Sequence, residues 1–250
     1  MKLTYIFHSG FALETGACIL VFDYWKDPAN VVPSLLESGK PLYVFSSHFH
    51  EDHFNREIFG WKMHTAHIRF ILSKDIVKHR RAQKDEADVW LAKGGTWQDP
   101  LLHVTATGSN DSGVSWVVRT EGRLIFHAGD LNNWYARFLT GNTRGGLIYS
   151  PGFGCPVDPQ REEKLFLGEL KDIRKITDRF DVAMWPVDGR IGNGYTRGPR
   201  QFIERFKVGW LVPMHFVASG FESAWRMKKY ADALGVRFWS IREEGESIEI

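Results

Sequence analysis

The stretch that most constrains this chain is His48-Phe49-His50-Glu51-Asp52-His53, which follows the apolar run Leu42-Tyr43-Val44-Phe45 and the pair Ser46-Ser47. A short apolar run closed by serines reads as a buried strand passing into a loop. Side chains alternate along extended backbone, so His48, His50 and Asp52 project to one side. His53, beside Asp52, turns toward a second point once the chain bends. Neutral imidazoles and a carboxylate are the donor set that zinc, iron and manganese accept. The spacing therefore suggests two adjacent metal positions. The plainer alternative is a surface loop that happens to be rich in histidine.

Other apolar runs end in groups of the same kind. Residues 17–23 form a buried run closed by Asp23. That carboxylate either serves a site or its supporting layer, or caps a strand-to-loop turn; both readings stay open. Residues 123–127 read as a strand leading into Ala128-Gly129-Asp130, and residues 210–214 as a strand ending at His215. The polar loop 107–113 carries Asp111. Taken alone, His215 would be a structural histidine and Asp130 a turn residue. Beside the histidine cluster, both read as ligands.

The rest of the chain frames these ends. Strands are expected over residues 3–7, 11–14, 62–67, 101–106, 114–120 and 182–187. Glu121-Gly122 forms a hairpin turn, and the tail after residue 237 alternates as strands. Helices are expected over 31–38, 54–59, 160–177, 199–206 and 224–234. The helix 160–177 has its apolar face at Leu165, Leu167, Leu170, Ile173 and Ile176. His64 and His67 are ordinary polar positions, and 151–159 is a Pro- and Gly-rich loop. Strands and helices occur in both halves, which favours one domain over residues 1–250, built from two similar layers with the site along one edge.

Composition narrows the function. The 250 residues are 43% apolar and carry a net charge of +2, which gives no argument for nucleic acid. The basic run Lys78-His79-Arg80-Arg81 is a solvated face. With 18 Phe and 10 Trp, the expectation is an aromatic-rich core rather than a stacking surface. Cys18 and Cys155 are too few for a disulfide framework and read as packing residues. Residues 1–7 have no signal-peptide pattern, and no run approaches a membrane span. A cytoplasmic enzyme is the expectation, with a small-molecule substrate, no nucleic acid and no membrane; a homo-oligomer is left open.

With these motifs in order, the chain resembles the metallo-β-lactamase fold. The resemblance rests on His48-x-His50-x-Asp52-His53, on His127-Ala128-Gly129-Asp130, and on Pro213-Met214-His215-Phe216, and spans Asp23 to His215. His8-Ser9-Gly10-Phe11 and the Ala-Gly-Asp motif are similar to the branch that contains ascorbate-6-phosphate lactonase. The resemblance implies a mixed α/β (α+β) protein, an αββα four-layer sandwich with a dinuclear site between the loops of one edge. It implies that His48 and His50 hold one metal, that Asp52, His53 and His215 hold the other, and that Asp130 bridges them. Asp23 matches the family's first aspartate, which orients the histidine loop.

One departure stands out. The family usually supplies another histidine from the loop before Asp130, and residues 107–113 contain none. His103 lies upstream within a strand. Asp111 is the best substitute, ahead of Ser109 and Asn110. An oxygen ligand there would shift the first site toward manganese or iron and away from zinc.

The expected activity is metal-dependent hydrolysis with one or two zinc ions. A bound water falls from pKa 15.7 to about 7. The resulting hydroxide would cleave an ester, lactone or phosphoester bond in a small anionic substrate. Asp52 and Asp130 hold the metals and accept the water's hydrogen bond. Arg190, Arg197 and Arg200, with Arg144, form either an anion clamp or solvated surface. His8, Asn132 and Trp134 line the pocket by position. The rival expectation is a metal-binding or sensor protein of the same fold without turnover, which the missing histidine favours.

Overall fold

The computed structural model describes residues 1–139, 148–149 and 156–250; Arg144 and Cys155, both singled out above, lie outside them. The chain opens with β1 (Lys2–Phe7), β2 (Gly10–Glu14), β3 (Ile19–Phe22), β4 (Leu42–Ser46), β5 (Ile68–Ser73) and β6 (Val89–Leu91). It continues through β7 (Thr96–Gln98), β8 (His103–Gly108), β9 (Val114–Thr120) and β10 (Arg123–His127). A short pair, β11 (Ile148–Tyr149) and β12 (Pro156–Val157), precedes β13 (Arg179–Pro186), β14 (Lys207–Met214), β15 (Arg237–Phe238) and β16 (Ser247–Glu249).

Two seven-stranded sheets result, ordered β16-β1-β2-β3-β4-β5-β6 and β15-β14-β13-β10-β9-β8-β7. Alternation along the strands of the first sheet explains the layering. Leu20, Phe22, Tyr43 and Phe45 point into the core shared with the second sheet. Ile19, Val21, Leu42 and Val44 point the other way, under Val32, Leu35, Ile58, Trp61 and Ile76 of the outer helices. The second sheet is covered by the helix Pro159–Arg174, through Phe166, Leu170 and Ile173, and by Phe202 of the helix Arg197–Ile203. This is the αββα arrangement.

Two local expectations fail for visible reasons. Residues 62–67 are not a strand. A 3-10 helix runs over Arg56–Met63, burying Ile58 and Trp61, and the strand begins only at Ile68. In the helix Pro159–Arg174 the buried face is Phe166, Leu170 and Ile173, whereas Leu165 and Ile176 are about half exposed. Phe166, with Leu170 and Ile173 spaced four and seven residues on, makes the true stripe.

Strand direction decides where the site falls. β3, β4 and β5 are parallel, and β1 runs with β3 because two antiparallel pairings separate them. β10, β13 and β14 are parallel as well. The chain therefore leaves β1 at His8, β3 at Asp23, β4 at Ser47-His48, β10 at Asp130, β13 at Asp188 and β14 at His215. Ligands in such sheets gather at the carboxyl ends of strands.

Candidate metal centre and pocket

The site is built outward from Asp23, which is fully buried and has a left-handed backbone, φ 42°. Its carboxylate accepts from the Ser47 amide at 2.7 Å, from Ser47 Oγ at 2.6 Å and from His53 Nδ1 at 2.7 Å. Because Ser47 Oγ donates to Asp23, its lone pairs are left for His48 Nδ1, 3.0 Å away. One carboxylate thus fixes the tautomer of two histidines and turns both Nε2 atoms inward. The second half repeats the device. His215 Nδ1 donates to Asp188 Oδ2 at 2.9 Å, and Arg190 Nη2 donates to the same oxygen at 2.6 Å.

Asp130 stands where the two halves meet. Its Oδ1 lies 3.2 Å from His53 Nε2 and 3.4 Å from His215 Nε2, and its Oδ2 lies 3.4 Å from His48 Nε2. Asp52 Oδ2 is 3.8 Å from His53 Nε2 and 3.7 Å from His215 Nε2. His50 Nδ1 is 3.0 Å from His48 Nε2. The donor atoms fall into two compact groups, His48, His50 and Asp130, and His8, Asp52, His53 and His215, each capable of holding a metal ion.

The donors fit a cation. His8 Nε2, His53 Nε2, His215 Nε2 and Asp130 Oδ1 are buried without a hydrogen-bond partner among the described residues. Orphaned polar atoms of this kind are costly and rare. Here they converge. The electrostatics agree. Burial pushes Asp130 up, but His53, His215 and His48 outweigh it and hold the carboxyl well below its usual range. Burial pushes His53 down, yet Asp130 and Asp23 raise it well above the ordinary value. Asp130 is thereby held as a carboxylate among the imidazoles.

Close backbone approach closes the roof. A Cβ on Gly113 would collide with the Ser47 carbonyl and His48, and one on Gly129, φ +52°, would meet Ser47. These glycines let the loops before and after β9–β10 settle on the histidine loop.

The centre opens into a pocket of about 800 Å³ lined by His50, Asp52, Asp130 and His215 on one wall and by Trp134, Tyr135, Arg137, Phe138, Asp188 and Arg190 on others. Asp111 stands on its rim, outside both metal-capable groups; desolvation and the charge of Asp130 push its carboxyl up to about 6. Trp134 lines the pocket as expected and its indole donates to the Asp130 carbonyl at 2.8 Å. Arg190 lines it too, with its side chain 55% exposed.

Three residues expected on the substrate side stand elsewhere. Arg197 is drawn into a pair with Glu163 at 2.7 Å, away from the pocket wall. Asn132 is fully buried and bonds Asn110, Asn133 and the Pro186 carbonyl. His8 is buried within the donor cluster. His64 and His67, expected as ordinary positions, are exposed, and so is His103, which lies in β8 outside both donor groups. Asp188 was not among the residues the sequence singled out. Its place at the end of an apolar strand, like Asp23, was the signal.

No family model matches the chain. A UPF0173 metal-dependent hydrolase of Opitutus terrae is 27% identical over 235 residues, 86% of this chain and 85% of the relative. Among solved structures, YhfI of Bacillus subtilis, a metallo-β-lactamase-fold protein, superposes with a TM-score of 0.61 at 14% identity, covering 99% of this chain and 98% of its own. This chain has the metallo-β-lactamase fold. A second structure of similar shape is Igni18, a metallo hydrolase of Ignicoccus hospitalis, with a TM-score of 0.66 at 17% identity, covering 99% and 97% of the two chains. In this metallo-β-lactamase fold the two sheets meet at the edge where the donors gather. Among the described residues no helix is long and apolar enough to cross a membrane.

Proposed function

We propose that the chain is a metal-dependent hydrolase that cleaves an ester, lactone or phosphoester bond in a small anionic molecule, with zinc as its ion and manganese or iron as alternatives. The observation behind this reading is Asp130, whose two oxygens face different histidine groups at the floor of a pocket of small-molecule size. In this reading His48, His50 and Asp130 hold one ion, and Asp52, His53 and His215 with Asp130 hold the other. Bound there, the ions supply Lewis acidity and lower the pKa of coordinated water.

The chain's own groups do the rest. Asp23 and Asp188 lock the imidazoles so that each Nε2 faces the centre. Asp52 and Asp130, both on the pocket wall, are placed to accept a hydrogen bond from the attacking water. Arg190 and Arg137 offer positive charge to an anionic substrate, and Trp134, Tyr135 and Phe138 wall off its apolar part. The metal-dependent hydrolase name carried by the relative supports the reading.

The test is a screen of metal-reconstituted protein against lactones, phosphodiesters and phosphomonoesters, with His53→Ala and Asp130→Ala alongside. Turnover of one class is expected, abolished in both variants with secondary structure retained. Full activity in either variant would refute the assignment. The rival, a metal-binding chain without turnover, draws on the three-donor group His48, His50 and Asp130; metal uptake with no turnover in any class would favour it.

A further inference from the structure

His8 follows β1, and its position differs from that of a substrate-binding residue. Its side chain is only 5% exposed and does not line the pocket. It touches Asp52 and His215, which do, so it reaches the centre from behind them.

The ring is held firmly in place. His8 has a left-handed backbone, φ 57°, which few non-glycine residues adopt without support. Two hydrogen bonds pin it there. The His8 amide donates to Tyr5 Oη at 2.8 Å, and the His8 carbonyl accepts from the His215 amide at 3.0 Å. The imidazole packs against Trp25, with centroids 5.5 Å apart, and against His215 at 4.1 Å.

Two roles for Nε2 compete. One is a hydrogen bond to Asp52, the other a bond to an ion shared with Asp52. His8 Nε2 is 3.2 Å from Asp52 Oδ2, yet it is buried with no hydrogen-bond partner among the described residues. The distance suits a hydrogen bond and the direction does not. Donors around one ion behave in this way, since each aims at the metal and not at its neighbour. The spacing supports the second role. The separations from Asp52 Oδ2 to Nε2 of His8, His53 and His215 are 3.2, 3.8 and 3.7 Å. Donor atoms bonded to one ion at about 2.1 Å, four or five in number, stand about 3.0–3.6 Å apart.

We propose that His8 is a further protein ligand at the position formed by Asp52, His53 and His215. This deepens the metal-centre reading above and rests on it, but not on hydrolysis. With Asp130 Oδ1 also facing it, this position is closed by protein groups. The other, which among the described residues has His48, His50 and Asp130 Oδ2, keeps an open side there. Closed sites hold their ion for structure and charge, and open ones admit water or substrate. The two positions therefore divide the work, and the closed one binds more tightly.

The test is titration of the metal-free protein with cobalt(II), read by visible absorption and calorimetry. Asn takes the left-handed conformation readily, so His8→Asn is the first variant and His8→Ala the second. Circular dichroism of the metal-free proteins selects the variant that keeps the wild-type fold. The wild type should bind one tight and one weaker equivalent. His8→Asn should weaken the tight equivalent at least about tenfold and change its absorption while leaving the weaker one alone. His50→Ala should do the reverse. Unchanged affinity and spectrum of the tight equivalent in a folded His8 variant would overturn the role of His8 and leave the metal centre standing. A wild type that takes up no cobalt would overturn both.

Discussion

The two carboxylate–histidine pairs, Asp23–His53 and Asp188–His215, have the same design and different surroundings. Asp23 and His53 are both fully buried, and Asp23 also holds Ser47 and, through it, His48. Asp188 and His215 are nearly as buried, but Asp188 shares its oxygens with Arg190, which reaches into the pocket. The first pair belongs to the scaffold. The second couples the centre to whatever occupies the pocket. Identical chemistry is thus set to different tasks by its neighbours.

Asp23→Asn should break the comparison most severely. It replaces an acceptor of three hydrogen bonds by a group that must turn its NH₂ toward one of the donors. A loss of about 3–5 kcal/mol of stability is expected, as for a broken buried pair, together with loss of metal. Urea denaturation and metal analysis would read both.

Asp188→Asn should be milder, lowering metal affinity about 10–100-fold with the fold retained. Burial raises the Asp188 carboxyl, but His215 and Arg190 outweigh it and leave the value at about 2. Since this lies below the ordinary 3.8, the stabilisation is complete above that value and is lost as the pH falls through about 2. The difference in urea midpoint between wild type and Asp188→Asn should therefore close on acidification. A difference that persisted at about pH 2 would contradict the pairing.

Arg190→Ala should do least to the scaffold, costing no more than about 1 kcal/mol because the side chain is half exposed. It should instead raise KM for an anionic substrate with kcat less affected. An equal loss of both would place Arg190 with the scaffold pair.

Much of this was legible in the sequence. The order of apolar runs ending in His or Asp located the edge of the sandwich, because a strand buried on both faces reads as a continuous apolar run. What escaped had physical reasons. His8 follows a strand as His215 does, but it stands alone in a short turn, and only the antiparallel pairing of β1, β2 and β3 brings it to the same edge. Arg197 and Asn132 lie near the pocket in sequence order, but partners contributed by the helix Pro159–Arg174 and by β13 hold them elsewhere. The strand expected at residues 62–67 failed because Ile58 and Trp61 repeat at a three-residue interval that an eight-residue 3-10 helix satisfies.

His8, Asp23 and the histidine loop belong to one sheet, whereas Asp130, Asp188 and His215 belong to the other. An ion gripped by both is a clasp across the sandwich. Prising the layers apart and letting go of the metal then become a single event, so the supply of metal sets how firmly the chain stays shut.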